Sequence, residues 1–225
     1  MRLDFQGAIF DADGTLLDSM KVWRNLGELY LRSRGIQPEE GLSTRLWPLS
    51  YDQGCRYIKS HYGLKESVSE IQSGISRMIE DFYVNRVKLK PGVKEFLEEL
   101  RRREIHMVIA TSGDRELLQS ALALNEIAGY FDGIFTCSEL GTDKHDSRIF
   151  LACAKSLGLE PQNIAVFEDV LYALETAKSA GFMTFGVYDA SSINDTQRII
   201  ETADYYIEDF TLLNPPLSGG TSSPA

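Results

Sequence analysis

Four short runs along the chain are apolar without alternation: Ala8-Ile9-Phe10, Met107-Val108-Ile109-Ala110, Ile164-Ala165-Val166-Phe167 and Thr184-Phe185-Gly186-Val187. A strand with one wet face would alternate, so these runs predict parallel strands covered on both sides. Gly133-Ile134-Phe135-Thr136 is a weaker run, and Asp204-Tyr205-Tyr206-Ile207 reads as a late edge strand. Helical spacing fills the intervals at 93–103, 115–124, 147–157, 171–180 and 195–202. Gly158 and Gly181 stand where two of these helices should stop, since glycine accepts the left-handed conformation that closes a helix. Strand alternating with helix predicts an α/β fold, a doubly wound, Rossmann-like parallel sheet.

One stretch breaks the alternation. Residues 19–87 hold no convincing strand and read as helices near 20–33, 51–62 and 67–84, punctuated by Gly35, Pro38, Pro48 and Gly63. The expected organisation is an α/β body from 1–18 and 88–213 with an all-helical insertion at 19–87. Pro91-Gly92 marks the return to the body, and 214–225, rich in Pro, Gly and Ser, reads as a flexible tail.

Composition narrows the partners. The 225 residues are 43% hydrophobic and 25% charged, and the net charge is −10. An acidic surface argues against nucleic acid or an anionic membrane as partner. Any anion site must then carry local positive charge of its own. Cys55, Cys137 and Cys153 are too widely spaced for a metal knuckle or a disulfide framework, which points to a reducing compartment. With no apolar run near membrane length and no signal-like start, the expectation is a monomer in the cytoplasm.

The strand ends carry the chemistry. The first strand runs into Asp11-Ala12-Asp13-Gly14-Thr15, and ligands of open α/β sheets sit beyond carboxyl ends of strands. Asp11 could attack as a carboxylate nucleophile, and Asp13 could protonate the leaving oxygen. Taken alone, Asp and Gly are also ordinary turn residues. The second strand runs into Thr111-Ser112-Gly113, where hydroxyls and backbone N–H groups could cradle an anion or simply begin a helix. Glu168-Asp169, ending the strand near 164, could face Asp11 and ligate Mg²⁺, or merely favour a helix N-terminus. Lys144 could offset phosphate charge, although a solvated loop lysine is the commoner case. Four polar clusters at successive strand ends specify far more than any one of them.

With these motifs the chain resembles the haloacid dehalogenase superfamily, and within it the β-phosphoglucomutase-like phosphatase branch with a helical cap. The resemblance spans about residues 3–213. It implies that Asp11 is nucleophile and Mg²⁺ ligand, and that Asp13 is acid/base and ligates through its backbone carbonyl. It implies that Thr111, Ser112 and Lys144 hold phosphate, that Glu168 and Asp169 complete the metal site, and that 19–87 is a cap closing over substrate. Lys144-His145-Asp146-Ser147-Arg148 departs from the family's usual Lys-Pro-x-Pro-Asp, so Asp146 is expected to orient the lysine. Val170 and Ala173 replace a small polar residue and a glycine, which puts loop geometry rather than reaction class in question.

Substrate choice is expected in the cap, with Trp23, Arg24, Arg45 and Trp47 as candidates. Trp23 also fits a cap-core stripe with Leu26, Leu29 and Tyr30. His61, His106 and His145 show no metal spacing. The leading expectation is a phosphatase acting on a small phosphorylated metabolite. A phosphomutase, a dehalogenase and a non-catalytic phosphometabolite-binding protein are the alternatives.

Overall fold

In the computed structural model, which describes residues 5–213, six strands form one parallel sheet. They are β1 (Gly7–Phe10), β2 (His106–Thr111), β3 (Gly133–Thr136), β4 (Ile164–Glu168), β5 (Met183–Val187) and β6 (Tyr205–Ile207), in the order β3-β2-β1-β4-β5-β6. β1 is central and pairs with β2 on one side and β4 on the other. The strand order therefore reverses at β1, and the carboxyl ends of β1, β2 and β4 open onto one crevice. The predicted α/β class and all six strands are present, and the expected tail lies outside the described residues.

The sheet is covered on both faces, as the unalternating strand sequences require. One face carries Phe10, Phe167 and Phe185. Their rings stack across β1, β4 and β5 with centroids 4.6 and 4.5 Å apart. Phe10 pairs in register with Phe167, and Phe167 with Phe185. Each of the first two precedes a site carboxylate, Asp11 or Glu168, so the aromatic ladder fixes the level at which those carboxylates leave the sheet. The other face buries Ile9, Val108 and Val166 against Phe150, Cys153 and Ala173.

The insertion contains α1 (Met20–Arg24), α2 (Leu26–Ser33), α3 (Leu42–Leu46), α4 (Tyr51–Tyr62) and α5 (Val68–Asn85). The helix expected over 20–33 is two helices. Asn25 breaks it: its side-chain amide donates to Lys21 O at 2.7 Å, and its backbone N–H bonds Val22 O at 3.1 Å, one residue short of the α-helical partner. Helices α4 and α5 begin with capping boxes, Ser50 with Gln53 and Ser67 with Glu70. The two connections to the body run side by side, because Leu17 pairs antiparallel with Leu89.

The body continues with α6 (Val93–Arg102), α7 (Arg115–Leu124), α8 (Cys137–Leu140), α9 (Arg148–Leu157), α10 (Leu171–Ser179) and α11 (Thr196–Thr202). The insertion packs on this body through α5 against α7. Its buried Ile71, Ile75, Ile79 and Tyr83 are continuous with the core on the Phe10 face. No helix among the described residues is long and apolar enough to cross a membrane.

Candidate active site

Asp11 leaves β1 with its backbone N–H still donating to Phe167 O of β4 at 3.0 Å. The chain then turns tightly, Leu17 N–H donating to Ala12 O at 2.8 Å and Gly14 N–H to Leu17 O at 3.0 Å. Gly14 is required twice over. Its φ is +94°, and a Cβ there would run into the Asp169 carboxylate. The glycine lets the β1 loop and the β4 loop touch.

Asp11, Glu168 and Asp169 are buried and each offers an oxygen, all within 4.8 Å of one another. The buried Lys144 ammonium bonds both Asp11 and Glu168. Burial alone would push the lysine's pKa down, but the two facing carboxylates outweigh it and hold it above the usual range. Burial pushes Glu168 and Asp169 above the ordinary carboxylate range, and the Asp11 charge pushes them further. One cation is too little for three carboxylates.

The hydrogen bonds say where the missing charge belongs. Glu168 spends Oε1 on Lys144, and Oε2 accepts from Asp169 N at 3.0 Å and Val170 N at 3.2 Å. Asp169 Oδ1 accepts from the Thr15 hydroxyl at 3.1 Å. Asp169 Oδ2 is buried with no partner. An orphaned carboxylate oxygen beside Asp11 fits a hard divalent cation, and an all-oxygen donor set suits Mg²⁺. Asp11 and Asp169 have oxygen left to give. Glu168 has less.

Thr111 is buried at the end of β2 and its Oγ1 accepts from Gly113 N at 2.9 Å. A Cβ on Gly113 would come within 3.1 Å of Asp13 Oδ2 and 3.2 Å of Thr111 Oγ1, so this glycine keeps a small space open opposite the β1 loop. Ser112 is exposed and its hydroxyl lies 3.5 Å from Cys137 Sγ. Asp114 caps α7, accepting from Glu116 N and Leu117 N.

Asp13 points toward the insertion. Its Oδ1 accepts from Ser19 Oγ at 2.6 Å and from the Tyr83 hydroxyl of α5, which in turn accepts from Trp23 Nε1 at 2.8 Å. Burial raises the Asp13 pKa, while the Ser19 and Tyr83 hydrogen bonds pull it back. The residues that reach Asp13 from the insertion are Tyr83 of α5 and Ser19, just before α1, neither singled out by the sequence. Tyr83 continues the stripe Ile71, Ile75, Ile79, so its spacing signals core and hides its polar tip.

A second unanticipated residue is Lys90, on the return connection. Its buried ammonium donates to Gly14 O at 2.6 Å, to Tyr188 O and to Asp189 Oδ2 at 3.1 Å. It fastens the β1 loop to the loop after β5. Asp146 does not orient Lys144 as expected: it accepts from Arg148 N and Nε at 2.8 and 2.7 Å, and Asp11 and Glu168 orient the lysine instead. His145 stacks on Tyr172, centroids 4.0 Å apart. Val170 begins α10 without a side-chain cap, and Ala173 is fully buried.

Of the residues considered for substrate choice, Trp23, Arg24 and Trp47 line one cavity in the insertion. Arg45 is not among its lining residues; it pairs with Glu39 at 2.6 Å and Tyr57 Oη at 2.7 Å.

The model of the haloacid dehalogenase-like hydrolase family matches residues 8–187, and the chain belongs to that family. It is 26% identical over 197 residues to a phosphorylated carbohydrates phosphatase of Thermotoga maritima, covering 87% of this chain and 90% of the relative. It is 24% identical over 216 residues to validoxylamine A 7′-phosphate phosphatase of Streptomyces hygroscopicus subsp. limoneus, covering 96% and 99%. A crystal structure from Thermotoga maritima, described as a candidate β-phosphoglucomutase, superposes with a TM-score of 0.83 at 26% identity, covering 93% and 97%. The chain is an enzyme of the phosphoric monoester hydrolase class.

Proposed function

We propose that this hydrolase is a Mg²⁺-dependent phosphatase of a small phosphorylated metabolite, a sugar phosphate or similar monoester, working through an aspartyl-phosphate on Asp11. The observation that carries the reading is the partnerless Asp169 Oδ2 beside Asp11 and Lys144. The sugar-phosphate class is supported by the names of the relatives.

Asp11 and Asp169, with Glu168 behind them, would hold Mg²⁺. The ion would supply positive charge against the phosphate oxygens. Lys144, fixed between Asp11 and Glu168, lowers the repulsion between an anionic ester and an anionic nucleophile. Thr111, with Ser112 and the N–H groups beside it, receives the remaining phosphate oxygens. Asp11 attacks phosphorus, and Asp13 gives its proton to the leaving oxygen. Asp13 then takes a proton from the water that attacks the aspartyl-phosphate. Residues 19–87 act as a cap, with the paired connections at Leu17 and Leu89 as its hinge.

A mutase would need a second phosphate site in the cap. Arg24 is the single charged residue lining the cap cavity, which favours hydrolysis. The reading takes a monomer, with neither nucleic acid nor membrane as partner. Its test is hydrolysis of p-nitrophenyl phosphate with added Mg²⁺, expected to stop with a chelator and in Asp11→Asn. Turnover that persists in both would sink it.

A further inference from the structure

Lys90 spends its whole ammonium on protein oxygens. Its three N–H donors go to Gly14 O at 2.6 Å, to Tyr188 O and to Asp189 Oδ2 at 3.1 Å. Nothing is left to offer a phosphate. Lys90 and Asp189 are both buried, and Asp189 Oδ1 accepts from Ser191 N at 2.8 Å. A buried ion pair is weak evidence for stability, since well-packed apolar residues often hold a fold as well. Its placement is the informative part.

The main chain of residue 90 grips the same loop a second time. Lys90 N–H donates to Leu16 O at 2.9 Å, while the ammonium reaches Gly14 O. The return connection thus clasps the β1 loop on both sides of Thr15, whose hydroxyl donates to Asp169 Oδ1 at 3.1 Å. Gly14 is the wall beside the other oxygen: a Cβ there would collide with Asp169 Oδ2, the oxygen without a partner. Gly14 and Thr15 therefore both bear on Asp169, and Lys90 fixes the stretch of chain that holds them. The Asp169 pKa is raised chiefly by burial; the Asp189 charge raises it further and the Lys90 charge lowers it, so the pair lies within electrostatic reach of that carboxylate.

We propose that Lys90 is a positioning residue for the metal site: by fastening the β1 loop to the loop after β5, it keeps Asp11 and Asp169 at the spacing that a divalent cation needs. This rests on the Mg²⁺ reading of the site, whereas metal binding can be measured without turnover. Lys90 touches neither metal nor substrate. It acts through Gly14 and Thr15.

The experiment compares the full chain as wild type, as Lys90→Met, and as Lys90→Met combined with Asp189→Asn. Lys90→Met leaves Asp189 buried and unpaired, so its urea midpoint should fall. Removing the second charge should recover most of that midpoint. Mg²⁺ affinity, read by calorimetry on the folded proteins, should be about tenfold or more weaker in both variants, the scale of one hydrogen bond from a charged donor. Turnover of p-nitrophenyl phosphate at saturating Mg²⁺ should lose kcat with KM nearly unchanged. If Lys90→Met fails to fold, the double variant carries the test. A lysine that merely stabilises the fold gives a different result: the double variant regains Mg²⁺ affinity together with its midpoint. That result, or wild-type affinity in Lys90→Met, would overturn the proposal and leave the phosphatase reading standing. Weakened Mg²⁺ binding in both variants, with no ester hydrolysed by the wild type, would support the positioning role and defeat the phosphatase reading instead.

Discussion

Tyr83 donates its phenolic proton to Asp13 across 70 residues of sequence, joining the last helix of the insertion to the loop of the first strand. Ser19 bonds the same carboxylate oxygen at 2.6 Å, from the other connection of the insertion. The side chain assigned the proton transfer is thus held from both ends of the cap.

Tyr83→Phe and Ser19→Ala should each lower kcat about tenfold, the scale of one hydrogen bond to a charged group. Because both act on one oxygen, the double variant should lose less than the product of the two. Steady-state kcat for the three variants checks this, and multiplicative losses would mean that the two groups act separately.

Lys144→Met should leave Asp11 and Glu168 facing each other in a buried site without their cation. Breaking a buried ion pair from one side costs about 3–5 kcal/mol. The urea midpoint should fall accordingly, and Mg²⁺ should restore part of it by binding the same carboxylates. An unchanged midpoint would contradict the placement of the lysine.

Gly14→Ala tests the contact between the two loops. The left-handed φ of +94° and the collision with Asp169 both oppose a methyl group there. Mg²⁺ affinity, read by calorimetry, should drop about tenfold or more through displaced Asp169, with stability down by roughly 1–3 kcal/mol. Affinity equal to the wild type would show that Asp169 is not held where the metal needs it.

Phe167→Ala should cost about 3–5 kcal/mol, since this ring stacks between Phe10 and Phe185 in the sheet core. Chemical denaturation measures it, and a loss under 1 kcal/mol would mean that the ladder does not set the strand level.

Much of this was legible in order along the chain. Unbroken apolar runs announced the strands, and a carboxylate, hydroxyl or acidic pair directly after each central strand announced the site, because parallel strands end on one side of a sheet. What could not be read depends on distance and on local competition. Tyr83 sits in a helical apolar stripe, and only packing of α5 on the body brings its hydroxyl to Asp13. Lys90 looks like one cation near Pro91-Gly92, and its three oxygen partners come from residues 14, 188 and 189. The split of the first cap helix turned on one asparagine side chain bonding the carbonyl four residues back. Arg45, plausible by position, is held by Glu39 and Tyr57.

The central claim is that Asp11 takes the phosphoryl group. Acid-quenching the enzyme during turnover of a phosphomonoester with Mg²⁺, followed by mass spectrometry of its peptides, measures this directly. The account predicts a phosphoryl group on the peptide containing Asp11, absent from Asp11→Asn, which should also be inactive. A phosphorylated peptide from elsewhere in the chain, or full turnover by Asp11→Asn, would contradict it.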